Sequence, residues 1–422
     1  FNIKSKMIKK IIVIACLFLS LVSFAQEGTS SPYSFYGIGD IRFKGTVESR
    51  SMGGVAVEQD SIHINLENPA SFANLKLTSF AVGGTYKTTN LKASSQSAKA
   101  TRTTLDYLAV GLPLGKFGLG FGLIPYSSVG YKIESISADN TQNSRRFNGD
   151  GGLNKAFLGV GYKIASNFSI GADVNYNFGK IETNSLEFIP NITAGTSEFN
   201  SADLSGVNFN VGMMYQTKIN KKTMFFSSMN YTVQGNLKSQ NIRNVSTVIY
   251  DSNFNLQVVD QLGEQKNQTD IKLPSRWSLS AGIGESRKWV FGGKIAYQKN
   301  SGEQNYYNQA NNVSYGRYGS VSMGGYYIPN YNSFTSYTKR IVYRGGLRYE
   351  KTGLMVNSQS INDMGLTLGL GLPLNGTFSN INIGFELGKK GTTSSNLVQE
   401  NYANFSVGFS FNDTWFVKRK FN

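Results

Sequence analysis

The 422-residue sequence contains one cysteine, one histidine and eight prolines, and it is short of acid, with 26 Asp and Glu against 42 Lys and Arg. The cysteine, Cys16, lies in an apolar run near the start, so the rest of the chain has no disulfide to staple it. Zinc-type sites need clusters of His or Cys that are missing here. A Ser-His catalytic pair would have to be built on His63. Nothing in Ser61-Ile62-His63-Ile64-Asn65 suggests a nucleophile, and an ordinary hydrogen-bonding histidine is the simpler reading. No P-loop or EF-hand loop appears. We expect no catalytic residue, metal, cofactor or enzyme activity. After Ala25 no uninterrupted apolar stretch approaches the ~20 residues of a membrane-spanning helix. The basic excess has no motif and no dense run, which argues against nucleic acid. At a membrane those residues would face water or anionic lipid headgroups.

What the chain does have is alternation. Leu366, Leu368, Leu370 and Leu372 interleave with Thr367, Gly369, Gly371 and Pro373. Ile381, Ile383, Phe385 and Leu387 interleave with Asn382, Gly384, Glu386 and Gly388. Phe405, Val407, Phe409 and Phe411 interleave with Ser406, Gly408, Ser410 and Asn412. In a strand this puts an apolar row on one face and small polar groups on the other. A soluble sandwich usually charges its exposed face. The Gly, Ser and Asn face here suits a barrel lumen whose other face meets lipid.

The amino-terminal segment fits an exported protein. Lys9-Lys10 precede the apolar run from Ile11 to Val22, and Ser23-Phe24-Ala25 carries small residues where a signal peptidase reads. We expect a signal peptide over 1–25, with residues 1–6 as translated leader and Gln26 as the mature start. Val13-Ile14-Ala15-Cys16 only loosely mimics a lipoprotein box. Removing 1–25 takes four lysines and leaves a formal charge of +12.

Alternation and turn punctuation predict fourteen strands. They fall near 77–91, 102–114, 117–134, 152–165, 168–182, 204–219, 223–238, 272–284, 288–301, 335–349, 352–359, 363–373, 380–390 and 401–419, the eleventh having the poorest pattern. Short links follow even-numbered strands, and long polar loops (135–151, 183–203, 239–271 and 302–334) follow odd-numbered ones. This predicts an all-β, antiparallel transmembrane β-barrel over 77–422, with short periplasmic turns, long outer loops and both termini periplasmic. A lumen of that width needs a filling other than its own side chains.

Residues 26–76 are broken by Pro and Gly and match the size of an amino-terminal hatch plugging the lumen. They contain Ser31-Pro32-Tyr33-Ser34-Phe35-Tyr36-Gly37-Ile38-Gly39-Asp40, then Met52-Gly53-Gly54-Val55-Ala56, Asp60, and Asn68-Pro69-Ala70-Ser71. These motifs resemble the hatch of FadL-type outer-membrane transporters. The opening motif and the ending Trp415-Phe416-Val417-Lys418-Arg419-Lys420 resemble the Bacteroidetes branch of that family, which includes PorV, a barrel serving type IX secretion. The resemblance implies a fourteen-stranded plugged barrel, a hatch centred on Met52, Gly53, Gly54, Asn68, Pro69 and Ala70, and passive uptake of a hydrophobic small molecule. It also implies a kinked third strand that opens a lateral window, which would fall at Gly122 and Pro125. Proline lacks the N–H for a ladder bond, so a bulge that only sets curvature is the alternative there.

The segment 302–334 holds Tyr306, Tyr307, Tyr315, Tyr318, Tyr326, Tyr327 and Tyr331. As an outer loop it offers rigid amphipathic contact area for a ligand or partner, although tyrosine also belts barrels at the water interface. Trp277, Trp289 and Trp415 sit near strand ends as belt residues. Asp173, Lys163, Lys294 and Glu386 are candidate lumen-facing charges that could pair with one another or with the hatch. The alternative to uptake is a non-transporting barrel subunit with outer-membrane protein partners, or a PorV-like secretion partner. An apolar tunnel would favour the first and a closed, charged lumen the second.

Overall fold

The computed structural model describes residues 28–42, 44–136, 141–299 and 312–414. It is a closed, antiparallel barrel of fourteen strands. In chain order these are β1 (Thr78–Lys92), β2 (Ser97–Leu114), β3 (Phe117–Pro125 with Ser127–Ser135), β4 (Ser144–Ala165) and β5 (Phe168–Phe188). β6 (Gly195–Lys218), β7 (Met224–Thr232 with Gly235–Tyr250), β8 (Gln265–Leu273 with Arg276–Glu285), β9 (Trp289–Gln298) and β10 (Tyr318–Tyr327) follow. β11 (Val342–Val356), β12 (Gln359–Pro373), β13 (Asn380–Lys390) and β14 (Gln399–Asp413) complete the wall. The ladder from Thr78↔Asp413 to Lys92↔Gln399 joins β14 to β1, so no sheet edge is left at the closure. The start of β1 and the end of β14 lie side by side at the end carrying the short turns, called here the turn end; the opposite end is the loop end.

The faces divide as the alternation dictates. Phe385 is 42% exposed and Phe405 46%, while their neighbours Asn382 and Ser410 are 0% and 1% exposed. Around the outside run Phe80, Leu108, Phe121, Leu158, Val174, Phe209, Leu279, Phe291, Val321, Leu347 and Leu368, all exposed. This is an apolar band, and a lipid bilayer is the environment in which it is stable.

Two expectations need correction. The expected outer loop 302–334 contains β10, which pairs with β9 from Trp289↔Tyr327 to Gln298↔Tyr318 and with β11 on its other side. The segments 335–349 and 352–359 are not two strands. Glu350-Lys351 looks like a turn, yet it lies within β11, with Glu350 pointing inward and Lys351 outward. The count of fourteen holds because one strand was missed and another divided. Most of the other long loops are also strand. The β5–β6 ladder runs unbroken from Phe168↔Tyr215 to Phe188↔Gly195. Twenty-one residues at ~3.3 Å each exceed an apolar band of ~25 Å even when strongly tilted.

Above the band the faces invert. Beyond Tyr176 the outward positions of β5 become Lys180 and Glu182, and β6 carries Asp203 outward. Inside, Val129, Tyr131, Leu153, Ile181, Leu204, Leu237 and Ile271 form a buried apolar cluster around Ile38. The loop end of this wall is therefore built like a water-soluble sheet, apolar within and polar without.

If the outer row meets lipid, Leu368→Arg should destabilise the folded barrel by about 2–4 kcal/mol, the cost of a cation near the bilayer midplane. Urea titration of the protein refolded in vesicles measures it, and a substitution as well tolerated as one on an exposed hairpin would contradict the assignment.

Candidate functional site

Residues 28–42 and 44–76 lie across the inside of the barrel, and their tightest seat is built from glycines. The 3-10 turn Pro69–Asn74 begins at Asn68, whose side-chain oxygen accepts the Ala70 N–H at 3.0 Å. The Asn68 amide nitrogen reaches across to the Met213 and Met229 carbonyls at 3.2 and 3.0 Å and to Ser228 Oγ at 2.9 Å. A β-carbon on Gly212 would come within 2.0 Å of Asn68 Oδ1, one on Gly171 within 2.4 Å of the Pro69 carbonyl carbon, and one on Gly118 within 1.9 Å of the Phe72 carbonyl oxygen. No other residue lets two backbones approach so closely. Phe72, 1% exposed, then packs beside Phe157 with ring centroids 6.4 Å apart.

The other hatch motif is seated the same way. The short helix Val47–Arg50 leads to Met52, whose backbone lies where Gly324 and Gly346 leave no room for a β-carbon. Gly53 has φ +68°, its N–H donates to Thr367 Oγ1 at 3.0 Å, and Gly54 has φ +88°. Met52, Gly53, Gly54, Asn68, Pro69 and Ala70 thus all lie at wall contacts, in two groups on opposite sides of the barrel.

Ion pairs complete the seat. Lys390 holds Asp40 at 2.6 Å, Lys294 holds Glu67 at 2.5 Å, and Asp106 holds Arg50 at 2.7 Å. Lys44 lies 2.9 Å from Asp363 and 3.0 Å from Glu350, both of which also pair with Arg348. Arg348 Nε donates to Glu386 at 2.7 Å, and the Tyr402 hydroxyl donates to Asp363 at 2.6 Å. At the turn end, the Tyr326 hydroxyl donates to Glu58 at 2.6 Å, and His63 Nδ1 lies 2.7 Å from Asp60. Burial alone would raise the Asp60 pKa; the His63 charge, its hydrogen bond and the Ile62 and His63 N–H groups hold it down to about 2.

Cavities lie on both sides of the hatch. The one toward the loop end is about 150 Å³ and is lined by Lys44, Arg276, Lys294, Arg348, Glu350 and Asp363 among its charged groups. Arg276 there stacks over Tyr318, 4.6 Å from the ring centroid, and donates to its hydroxyl at 2.9 Å. The cavity toward the turn end is about 980 Å³, with Val55, Val57, Ile62, Ile64 and Val290 in its lining.

The tyrosines predicted as an outer contact surface are dispersed. Tyr318 faces the inner cavity, Tyr326 binds the hatch at the turn end, and Tyr327 is 52% exposed beside Trp289. Tyr315 sits in the short strand Val313–Tyr315 against β11. Tyr306, Tyr307 and the Trp415–Lys420 tail lie outside the described residues. Of the predicted lumen charges, Lys294 and Glu386 join the hatch seat, Asp173 accepts from Asn175 and Asn210, and Lys163 lines the larger cavity. Glu350 was missed because Glu350-Lys351 reads as a turn, and Arg348 and Asp363 because each lies at the end of a predicted strand with no local sign of its partners.

At Pro125 the wall parts. The β2–β3 ladder runs from Leu114↔Phe117 to Leu108↔Leu123 and stops. Beyond it β3 bends inward at Tyr126, and Ser127 and Ser128 pair with Ile41 and Asp40 of the hatch. Gly122 lies below the break, where a β-carbon would come within 2.2 Å of the Leu108 carbonyl oxygen.

A fourteen-stranded wall with an amino-terminal segment inside it is a fold shared with solved outer-membrane transporters of the FadL type. The structure is similar to the toluene transporter TbuX of Ralstonia pickettii (13% identity, 92% of this chain and 99% of that one, TM-score 0.56). It is similar to the toluene transporter TodX of Pseudomonas putida (16%, 90% and 100%, 0.57) and to a FadL homologue of Pseudomonas aeruginosa (11%, 89% and 100%, 0.59). No curated protein matches the sequence significantly. The family model described as BamG matches residues 7–422, and the chain belongs to the BamG family.

The Asn68 seat carries a direct expectation. Asn68→Ala removes the cap and the bridge to β6 and β7, loosening the hatch by about 1–3 kcal/mol. Hydrogen exchange in micelles should show faster exchange over residues 68–76 with unchanged protection in β5 and β6. Unchanged exchange in the hatch would mean that the seat does not hold it.

Proposed function

We propose that this protein is a plugged outer-membrane barrel serving as a non-transporting subunit of a membrane-embedded assembly. The observation that carries this reading is the lining of the lumen. The hatch is fixed to the wall by ion pairs at β2, β9, β11, β12 and β13, and the cavity above it is small and lined by a dense set of charged groups among tyrosines and aliphatic side chains. An apolar molecule entering it would meet Tyr36, Ile38 and Tyr126, but it would also have to bear the desolvation of Lys44, Arg276, Arg348, Glu350 and Asp363. Moving the hatch aside would break several half-buried charge pairs at once, and each leaves a charge without its partner. In this reading the short-turn end and both chain ends face the periplasm, and the tall polar wall stands outside the cell.

One observation favours the other reading, passive uptake of a hydrophobic small molecule. The wall parts at Pro125 within reach of the bilayer, and a ligand captured at the loop end would leave there sideways. Lipid and lipopolysaccharide surround the barrel in both cases.

The readings separate on purification from native membranes with a tag in the 189–194 turn, followed by mass spectrometry of proteins and small molecules. Protein partners in fixed stoichiometry that survive detergent are the expected result. A lone barrel carrying a bound apolar molecule would instead establish uptake, and Pro125→Ala would then be expected to slow it.

A further inference from the structure

The cations inside the barrel fall into two classes. Around the smaller cavity above the hatch, Lys44, Arg50, Lys294, Arg348 and Lys390 each sit in an ion pair. In the chamber of about 980 Å³ toward the turn end they do not. Lys76, Lys163, Arg287, Arg340 and Arg344 line it, and among the described residues none of them forms an ion pair. The three carboxylates of the chamber are engaged elsewhere. Glu58 accepts the Tyr326 hydroxyl, Asp60 pairs with His63, and Glu48 accepts from the Asn382 amide at 2.7 Å. Glu48 and Asp60 attract Arg344 from a distance, but neither pairs with it.

Arg344 is the clearest case. It is 8% exposed, and its Nη1 donates to the neutral amide oxygen of Asn382 at 2.9 Å. Gly371 makes room for it, since a β-carbon there would come within 2.6 Å of that nitrogen. Arg340 donates through Nη2 to Asn375 at 2.7 Å, and its Nε is buried without an acceptor. Arg287 lies over the Tyr331 ring, 5.1 Å from the centroid. A guanidinium withdrawn from water and given only neutral partners lacks the counter-charge that offsets its desolvation. A carboxylate supplies that charge through two parallel hydrogen bonds. The rim has the same sign. Lys116, Lys221, Lys222, Lys288 and Lys339 stand with Arg287 and Arg340 on the connections of the turn end, which hold no Asp or Glu.

We infer that the turn-end chamber receives an extended polypeptide segment of a partner protein, with acidic side chains set among apolar ones. The placement of the cations calls for several negative charges rather than one. Lys163 lies near the end of β4 and Arg344 near the start of β11, on opposite sides of a fourteen-stranded wall. A single lipid head group answers one of them, whereas an acidic chain crossing the chamber answers both. Lipid outside the wall meets only the cations of the turns. The lining also includes Ile62, Leu77, Val342 and Leu374, all half-buried or exposed, and apolar side chains of the segment would cover them. An acidic glycan or polyphosphate would leave them wet. The chain's own residues 415–422 carry Lys418, Arg419 and Lys420 and no acidic side chain, so like charge sets them aside as the occupant. This inference names the binding surface of the proposed subunit and rests on that reading.

The test uses the full protein in phosphatidylcholine nanodiscs and three fluorescent dodecapeptides that alternate Leu with Glu, Gln or Lys. Anisotropy is read in about 0.15 M salt, where exposed charges are largely screened. The Glu peptide is expected to bind about tenfold more tightly than the Gln peptide, and the Lys peptide not at all. Arg344→Gln and the exposed Arg287→Gln should each weaken the Glu peptide about fivefold, while Lys222→Gln, on a turn outside the chamber, should leave it within about twofold. Equal binding of the three peptides, or a loss on Lys222→Gln as large as on the chamber variants, would overturn the site. Displacement of the Glu peptide by short-chain phosphatidylglycerol would also overturn it and assign the cations to lipid head groups. Co-purification from native membranes reports separately on the subunit reading. Partners without Glu-peptide binding sink this inference alone, and Glu-peptide binding without partners sinks the subunit reading alone.

Discussion

The structure depends on backbone meeting backbone inside the barrel. A wall of fourteen strands encloses more space than its own side chains can fill. The chain fills it with about fifty residues that precede the wall, and it fixes them by removing side chains from the wall. Gly118, Gly171 and Gly212 receive the Asn68–Phe72 segment, while Gly324 and Gly346 receive Met52. The contacts have the closeness of strand packing without its hydrogen bonds, so polar and charged side chains supply the specificity. Asn68 bridges two strands, and Lys44, Asp40, Glu67 and Arg50 each find an opposite charge on the wall.

That seat has a consequence for the wall. Once the hatch places Ile38 and Phe35 above the apolar band, the loop-end residues of β3 to β8 have an apolar centre to pack on. The sheet then changes character along its length. In the band it is apolar outward because lipid surrounds it, and above the band it is apolar inward because water does. β3 crosses this boundary at Pro125, where the missing N–H makes a break cheap, and it follows the inner cluster instead of β2. The parted seam is thus the result of two solvents acting on one strand.

The same inversion explains what the sequence made legible. Where lipid faces the strand, as in β12 to β14, apolar and small residues alternate and the strand bounds come out nearly as observed. Above the band the alternation persists with its sign reversed, as in Lys180-Ile181-Glu182, and with Asn and Ser abundant it resembles loop. β10 was hidden because only Val321 and Met323 supply an aliphatic row among glycines and serines. Glu350-Lys351 resembled a turn because one member answers a hatch lysine that lies 306 positions away in the sequence. The hatch motifs were readable as small-residue segments, but their partners were not. Which glycine faces which carbonyl is a property of barrel closure and has no local signature.

We propose that the hatch closes the lumen as part of the folded structure. Ion conductance of the purified protein in planar lipid bilayers tests it most directly. A silent barrel under moderate voltage is expected, because ion pairs at β2, β9, β11, β12 and β13 and the Asn68 bridge to β6 and β7 hold the hatch across the lumen. A stable open-pore conductance from the intact chain would contradict it.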